Sequence, residues 1–325
     1  MSEKLDRKIS LEKFKFMADL LAKKIIATVA YYDVLDYPLT VFELWKYLIE
    51  NTEITIDDQA KKPLMLIDII NALEDVELKK RIKTDAGYYF FDGRENLVSQ
   101  RIERNKISED KYKIIRRVVG FLRFVPFVRM ILVTGRVAMK NAEKKSDLDL
   151  LLVFEKGHIF SGRFLTVILL SLLGKKRTER KIKNKICLNH FLSTDLSTEV
   201  QDLFSAHEYV FMSPIFGAQL YAKFFKKNAW IKKYQPNFEG SILFAREIRD
   251  NQFSKSIRRF LEYLFSFNFI ENSLKKFQLA KIMANPKTQK AGGVIIHSDN
   301  ELAFWPDFEK QGPRVFEEFK KRCLR

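Results

Sequence analysis

Apolar positions recur at helical spacing from residue 13 to 31, through Phe14, Met17, Leu20, Leu21, Ile25 and Val29, and predict a first helix. Pro38 and Thr40 precede a new period at Val41, Leu44, Tyr47 and Leu48. Thr40 is placed to cap that second helix, and Glu43, three residues on, completes a capping box. A third period, roughly Pro63 to Val76, sets Leu66, Ile69, Ile70 and Leu73 on one face. The stretch LKKRIKTDAGYYFFDG then alternates in a strand-like way about the turn Thr84-Asp85-Ala86-Gly87. Three helices closed by a hairpin describe a winged helix-turn-helix over residues 15–93.

Residues 94–125 predict a basic helical connector ended by Pro126. Between 101 and 129, nine cations (Arg101, Arg104, Lys106, Lys111, Lys113, Arg116, Arg117, Arg123, Arg129) face three acids. Strand signals at Met130–Thr134, Asp149–Phe154 and Ile186–Leu192 predict a small mixed sheet over 126–195. From 196 to 325 the pattern is mainly helical, broken at Pro214, Pro236 and Pro286. It includes an extended stretch, GGVIIHSDNELAF, and a closing helix, PRVFEEFKKRCL. The fold class expected is α+β.

Composition adds bounds. Apolar residues make up 46% of the 325 and charged residues 30%, a globular balance rather than a disordered one. The two cysteines, Cys187 and Cys323, stand far apart, and MSEKLDRKIS lacks the apolar run of a signal peptide, so a reducing cytoplasm is expected. The longest apolar run, Phe164 to Leu173, falls short of the roughly 20 residues a membrane helix needs, and no transmembrane segment is expected. A net charge of +17 suits polyanions, whether nucleic acid, nucleotide phosphates or an anionic membrane surface. A lysine-rich surface alone produces the same number, so charge selects no partner. In a DNA-binding reading, the helix near Pro63–Val76 enters the groove while Lys79, Lys80, Arg81 and Lys83 of the wing meet phosphates. The apolar and acidic helix, IDIINALEDVE, fits protein contact equally well.

Chemistry concentrates in MILVTGRVAMKNAEKKSDLDLLLVFEKG. A buried strand runs into Gly135, where a missing Cβ lets backbone N–H groups approach a phosphate. Asp147 and Asp149, two apart at the start of an apolar strand, project from one face. Two hard oxygen ligands held that close suit a divalent ion bridging the phosphates of a nucleoside triphosphate.

This strand, glycine, short helix and Ser-Asp-x-Asp run before a second strand resembles the polymerase-beta-like nucleotidyltransferase superfamily. Within it, YYDVLDYPLTVFELWKYLI, PFVRMILVTGRVAMKNAEKKSDLDLLLVF and KICLNHFLS look like a prokaryotic group of nucleotidyltransferase-domain proteins with an N-terminal winged helix. The resemblance covers roughly residues 25–195. It implies a metal-dependent transfer of a nucleoside monophosphate from a triphosphate to an acceptor that the sequence does not name. Asp147 and Asp149 would be catalytic and hold Mg²⁺ or Mn²⁺, and Thr134, Gly135, Arg136 and Ser146 would bind the nucleotide.

The chain departs from that pattern twice. Arg136 stands where a small residue is expected, and it either obstructs the loop or clamps a phosphate bidentately. The later strand that usually supplies a third carboxylate reads KICLNHFL, with Asn189 at the third-ligand position, His190 on the opposite face and Asp195 just beyond. Cys187 reads as a packed core thiol, and the run GKKRTERKIKNK as a solvated loop or a polyanion contact. The alternative to an enzyme is a catalytically degenerate, nucleotide-sensing winged-helix regulator or nucleic-acid adaptor.

Overall fold

A computed structural model describes residues 19–50, 64–240, 247–289 and 291–305, together with Glu318 and Lys321. The predicted closing helix, PRVFEEFKKRCL, and Cys323 lie outside the described residues or nearly so. The fold is α+β, and the chain divides into two compact units. Among the described residues no helix is long and apolar enough to cross a membrane.

The first unit spans the chain to Ile102 and regains residues 230–239 later. Helix α1 (19–34) is followed by strand β1 (Leu39–Thr40) and helix α2 (Val41–Lys46). The Thr40 hydroxyl accepts from the Glu43 N–H and the Glu43 carboxylate accepts from the Thr40 N–H, which is the predicted capping box. Helix α3 (Leu66–Ala72) ends two residues before Glu74, and Asp75 caps a further helix, α4 (Val76–Arg81). Lys79, Lys80 and Arg81 therefore belong to a helix and not to the expected wing strand. Lys79 pairs with Glu74 at 2.6 Å and Lys80 with Glu77 at 2.7 Å.

Strands β2 (Ile82–Asp85) and β3 (Tyr88–Phe91) form a hairpin about Ala86 and Gly87, both with positive φ, as a two-residue hairpin turn requires. With β1 they make a three-stranded antiparallel sheet, β1-β3-β2. Tyr31, Tyr32, Leu44, Leu48 and Ile69 are buried in this unit.

Helix α5 (Asn96–Leu122) is the predicted connector, but several of its cations serve as internal ties. Arg101 pairs with Glu43 at 2.7 Å and lies 3.5 Å over the Tyr37 ring. Arg104 and Lys111 are buried.

The second unit comprises 103–229 and 240–312. Strand β4 (Val128–Val133), helix α6 (Gly135–Ala138), strand β5 (Leu148–Phe154), helix α7 (Ile159–Leu172) and strand β6 (Ile186–Ser193) follow in order. Next come helix α8 (Leu203–Phe211), strand β7 (Ser213–Phe216) and helix α9 (Tyr221–Lys227). Helix α10 (Ile231–Tyr234) belongs to the first unit. Helices α11 (Gln252–Phe265) and α12 (Asn268–Met283) and strands β8 (Val294–His297) and β9 (Glu301–Trp305) complete the second.

The six strands pair as β7-β4-β5-β6-β9-β8, antiparallel throughout except for β5 and β6. The sheet thus reaches beyond 126–195 and takes three strands from the region read as mainly helical. The helical pattern is interrupted at Pro214 as read, because this residue sits on edge strand β7, where a missing N–H is tolerated. Strands β4 and β5 are the best-buried part of the core, with Met130 to Val133 and Leu150 to Phe154 fully enclosed.

Candidate metal and nucleotide site

Three chain segments meet at one end of the central strands: the exit of β4, the entry of β5 and the entry of β6. Thr134 leaves β4 and its N–H donates to the Asp149 carbonyl at 3.1 Å. Gly135 follows with φ +61°, a left-handed conformation that costs glycine little. A Cβ built on it would stand 2.7 Å from Asp149 Oδ2, so the chain packs its backbone directly onto that carboxylate. The Gly135 N–H donates to the carboxylate of Glu208 on α8.

Asp147 and Asp149 flank Leu148 at the start of β5, and Cys187 lies directly across from Asp149 in the parallel register of β5 and β6. One ligand atom from each of Asp147, Asp149 and Cys187 falls within 4.8 Å of the others. The register then shifts, for the next pair is Leu151 with His190, leaving Leu188 and Asn189 in the irregularity. The resemblance implies Asn189 as the third-ligand position, on the same strand face as Cys187. The register gives the place opposite Asp149 to Cys187 instead.

Electrostatics at this cluster are crowded. Burial, then the charges of Asp147 and Glu208, push the Asp149 carboxyl up to about 7. Burial raises Glu208 to about 7 as well. The Cys187 thiol is pushed up to about 12, first by burial and then by the Asp149 charge, so it stays neutral and hydrogen-bonds Asp149. Arg177 answers this negative charge: its Nε is 3.0 Å from Asp147 Oδ2 and its guanidinium donates to Cys187 Sγ at 3.3 Å.

Arg177 comes from the basic run read as a solvated loop or a polyanion contact. Gly174, with φ +61°, turns the chain out of α7, and residues 175–177 then lie along the start of β6. The Arg177 N–H donates to the Ile186 carbonyl at 2.9 Å. Nothing in the local sequence separated Arg177 from the other six cations of that run; pairing with Ile186 does so.

Lys111 of α5 ties the loops beneath the aspartates. Its Nζ donates to the Ser146 carbonyl at 2.8 Å and to Asn184 Oδ1 at 2.7 Å, and burial lowers its pKa. One turn earlier, Ser108 Oγ accepts from the Ala142 N–H at 3.1 Å, and Arg104 donates to Asn141 Oδ1 at 3.1 Å. The loop between α6 and β5 is therefore held at three points by one helix face, at positions i, i+4 and i+7.

The remaining expected site residues have partners of their own within the second unit. The Arg136 guanidinium pairs with Glu143 at 2.7 Å and is more than half exposed. Ser146 Oγ accepts from the Glu143 N–H at 3.0 Å and closes a turn. His190 bonds Glu301 at 2.8 Å in the core, and Asp195 caps a turn with Ser197 and faces Lys227.

Two carboxylates at this spacing fit a divalent ion, with further oxygens coming from a triphosphate. A neutral thiol does not fit Mg²⁺, which takes hard oxygen ligands. Comparisons of the chain with protein-family models, curated proteins and solved structures find no match.

Proposed function

We propose that this chain is a metal-dependent nucleotidyltransferase of the polymerase-beta-like type, with its N-terminal unit serving as a winged helix. One observation carries the reading: a glycine of positive φ at the exit of β4 packs onto the second carboxylate of Asp-x-Asp at the entry of β5. That contact sets the end of β4 directly against a pair of hard ligands. Asp147 and Asp149 would hold Mg²⁺ or Mn²⁺. When bound, the ion offsets the charge of a nucleoside triphosphate and of the departing pyrophosphate. Gly135 lets the backbone lie against the Asp149 carboxylate, and Lys111 keeps the aspartate loop in place. Arg177 supplies a fixed positive charge at the rim, suited to a phosphate oxygen.

A second reading, a degenerate nucleotide sensor, is favoured by Cys187. A neutral thiol occupies the position where a third acid would complete the metal shell, and Arg177 already neutralises Asp147.

Binding and turnover separate the two. A triphosphate with Mg²⁺ should raise Tm more than either alone, by an amount equivalent to roughly 2.7 kcal/mol at about a hundred times Kd. The joint change Asp147→Asn and Asp149→Asn should remove that shift. Transfer of label from an α-labelled triphosphate to any acceptor in extract supports the enzyme. A shift without transfer supports the sensor, and no shift with any common triphosphate sinks both.

A further inference from the structure

Helices α11 and α12 pack inward with Phe265, Leu274, Leu279 and Ile282 together with several polar side chains, and they turn a row of other aromatic side chains outward. On α11, Ser254, Arg258 and Glu262 recur every four residues; Ser254 is buried and the other two are largely covered. Arg258 donates to the Arg123 carbonyl at 2.7 Å and pairs with Asp250. Glu262 accepts from the Phe127 N–H at 2.9 Å and from Arg129 at 2.7 Å. The opposite face presents Phe253, Phe260, Tyr263 and Leu264, which are 67%, 63%, 71% and 44% exposed.

Helix α12 repeats the arrangement. Glu271 accepts from the Phe160 and Ser161 N–H groups at 2.9 and 2.8 Å, which satisfies the open first turn of α7. Gln278 donates to the Phe160 carbonyl at 2.8 Å and accepts from Arg163 at 2.5 Å. Phe269 and Phe277 point away and are 68% and 57% exposed. One exposed phenylalanine is ordinary, but rows of them on consecutive helices mark an interaction surface.

Charge narrows the partner. Lys255, Arg259, Lys276 and Lys281 are exposed on these helices. From 252 to 289 the only acids are Glu262 and Glu271, and both are turned inward. The outward face of the two helices is therefore aromatic and cationic, and the carboxylates beside it, Asp299 and Glu179, pair with Lys275 and Lys287. A second copy would bring like charge against like. We propose that this face lies on an anionic lipid surface, with the aromatic rings at headgroup depth and the cations against lipid phosphates. Helices of 14 and 16 residues with a polar side suit lying in the interface and do not suit spanning. This inference is independent of the metal and nucleotide site.

Sedimentation of the full chain with phosphatidylcholine vesicles, with and without phosphatidylserine, tests it. Binding is expected to the anionic vesicles and to fall as salt rises. The pair Phe260→Ser and Tyr263→Ser, and separately Phe269→Ser and Phe277→Ser, should each weaken it by about tenfold or more while leaving Tm unchanged, because these side chains are exposed. No binding to anionic vesicles overturns the proposal. So does equal binding by the variants, since net charge alone then holds the protein. Loss of a dimer, or of single-stranded RNA binding, in those same variants without loss of vesicle binding assigns the face to another partner and likewise overturns it.

Discussion

Gly135 and Asp149 are in backbone-to-carboxylate contact, so close that an added Cβ would stand 2.7 Å from Oδ2. The contact joins residues 14 apart in sequence, and it exists because β4 and β5 are antiparallel neighbours that bring the end of one to the start of the other.

Gly135→Ala should therefore fail on two counts. The left-handed backbone at φ +61° disfavours any side chain, and the methyl group presses on the carboxylate. A loss of about 1–3 kcal/mol in urea unfolding is expected, together with loss of the triphosphate-dependent Tm shift. Wild-type stability in this variant would mean that the loop is free to rearrange.

Lys111→Met removes the tie between the Ser146 carbonyl and Asn184. Leaving those acceptors without their donor should cost about 1–3 kcal/mol. Metal–nucleotide affinity should fall further than stability does, because the loops carrying Asp147 and Arg177 lose their common support. Comparing the ligand-induced shift in the two proteins at matched distance below Tm reads the difference.

Glu208→Gln should stabilise the metal-free protein at alkaline pH. An acid whose folded pKa is raised takes up a proton on folding between its unfolded value and about 7, so its cost to stability grows as pH rises through that window and is full above it. Glutamine still accepts from the Gly135 N–H and carries no charge. Tm should exceed wild type at pH 8 and match it near pH 4. His207, held down to about 3 by burial, opposes folding increasingly below pH 6.5, but it is common to both proteins and cancels in the difference. A constant difference across pH would show that Glu208 is not buried as a raised acid.

Cys187→Asp and Asn189→Asp separate register from simple alternation. Cys187 faces Asp149 across the parallel pair, so a carboxylate there should strengthen Mg²⁺ binding, seen as a larger metal-dependent Tm shift, and raise any transfer rate. The same change at Asn189, within the register shift, should do neither. Equal gains at both positions would refute the assignment of Cys187 to the third-ligand place.

Much of the local structure was legible because short-range rules govern it. The Thr40–Glu43 capping box, the Ala86–Gly87 hairpin and strands β4, β5 and β6 follow from hydrogen-bond chemistry and period within a few residues. Helix α4 was missed because LKKR alternates well enough to read as strand, while the Asp75 cap that starts the helix offers only a single-residue signal. Strands β8 and β9 were seen as extended, but their place beside β6 was not, since strand pairing at long range carries no local mark.

For the candidate site, the sequence alone determined Gly135 and the Asp147–Asp149 pair, because spacing of two on a strand and glycine after a buried strand are local geometry. Tertiary structure decided the rest. The pairing of β5 with β6 sets Cys187 against Asp149, loop pairing selects Arg177 from seven similar cations, and packing of α8 brings Glu208 to the Gly135 N–H. It also turned Arg104 and Lys111 from a basic surface into buried ties. Each depends on which distant segments meet, and a side chain's charge acts according to what it meets, which no window of neighbouring residues records.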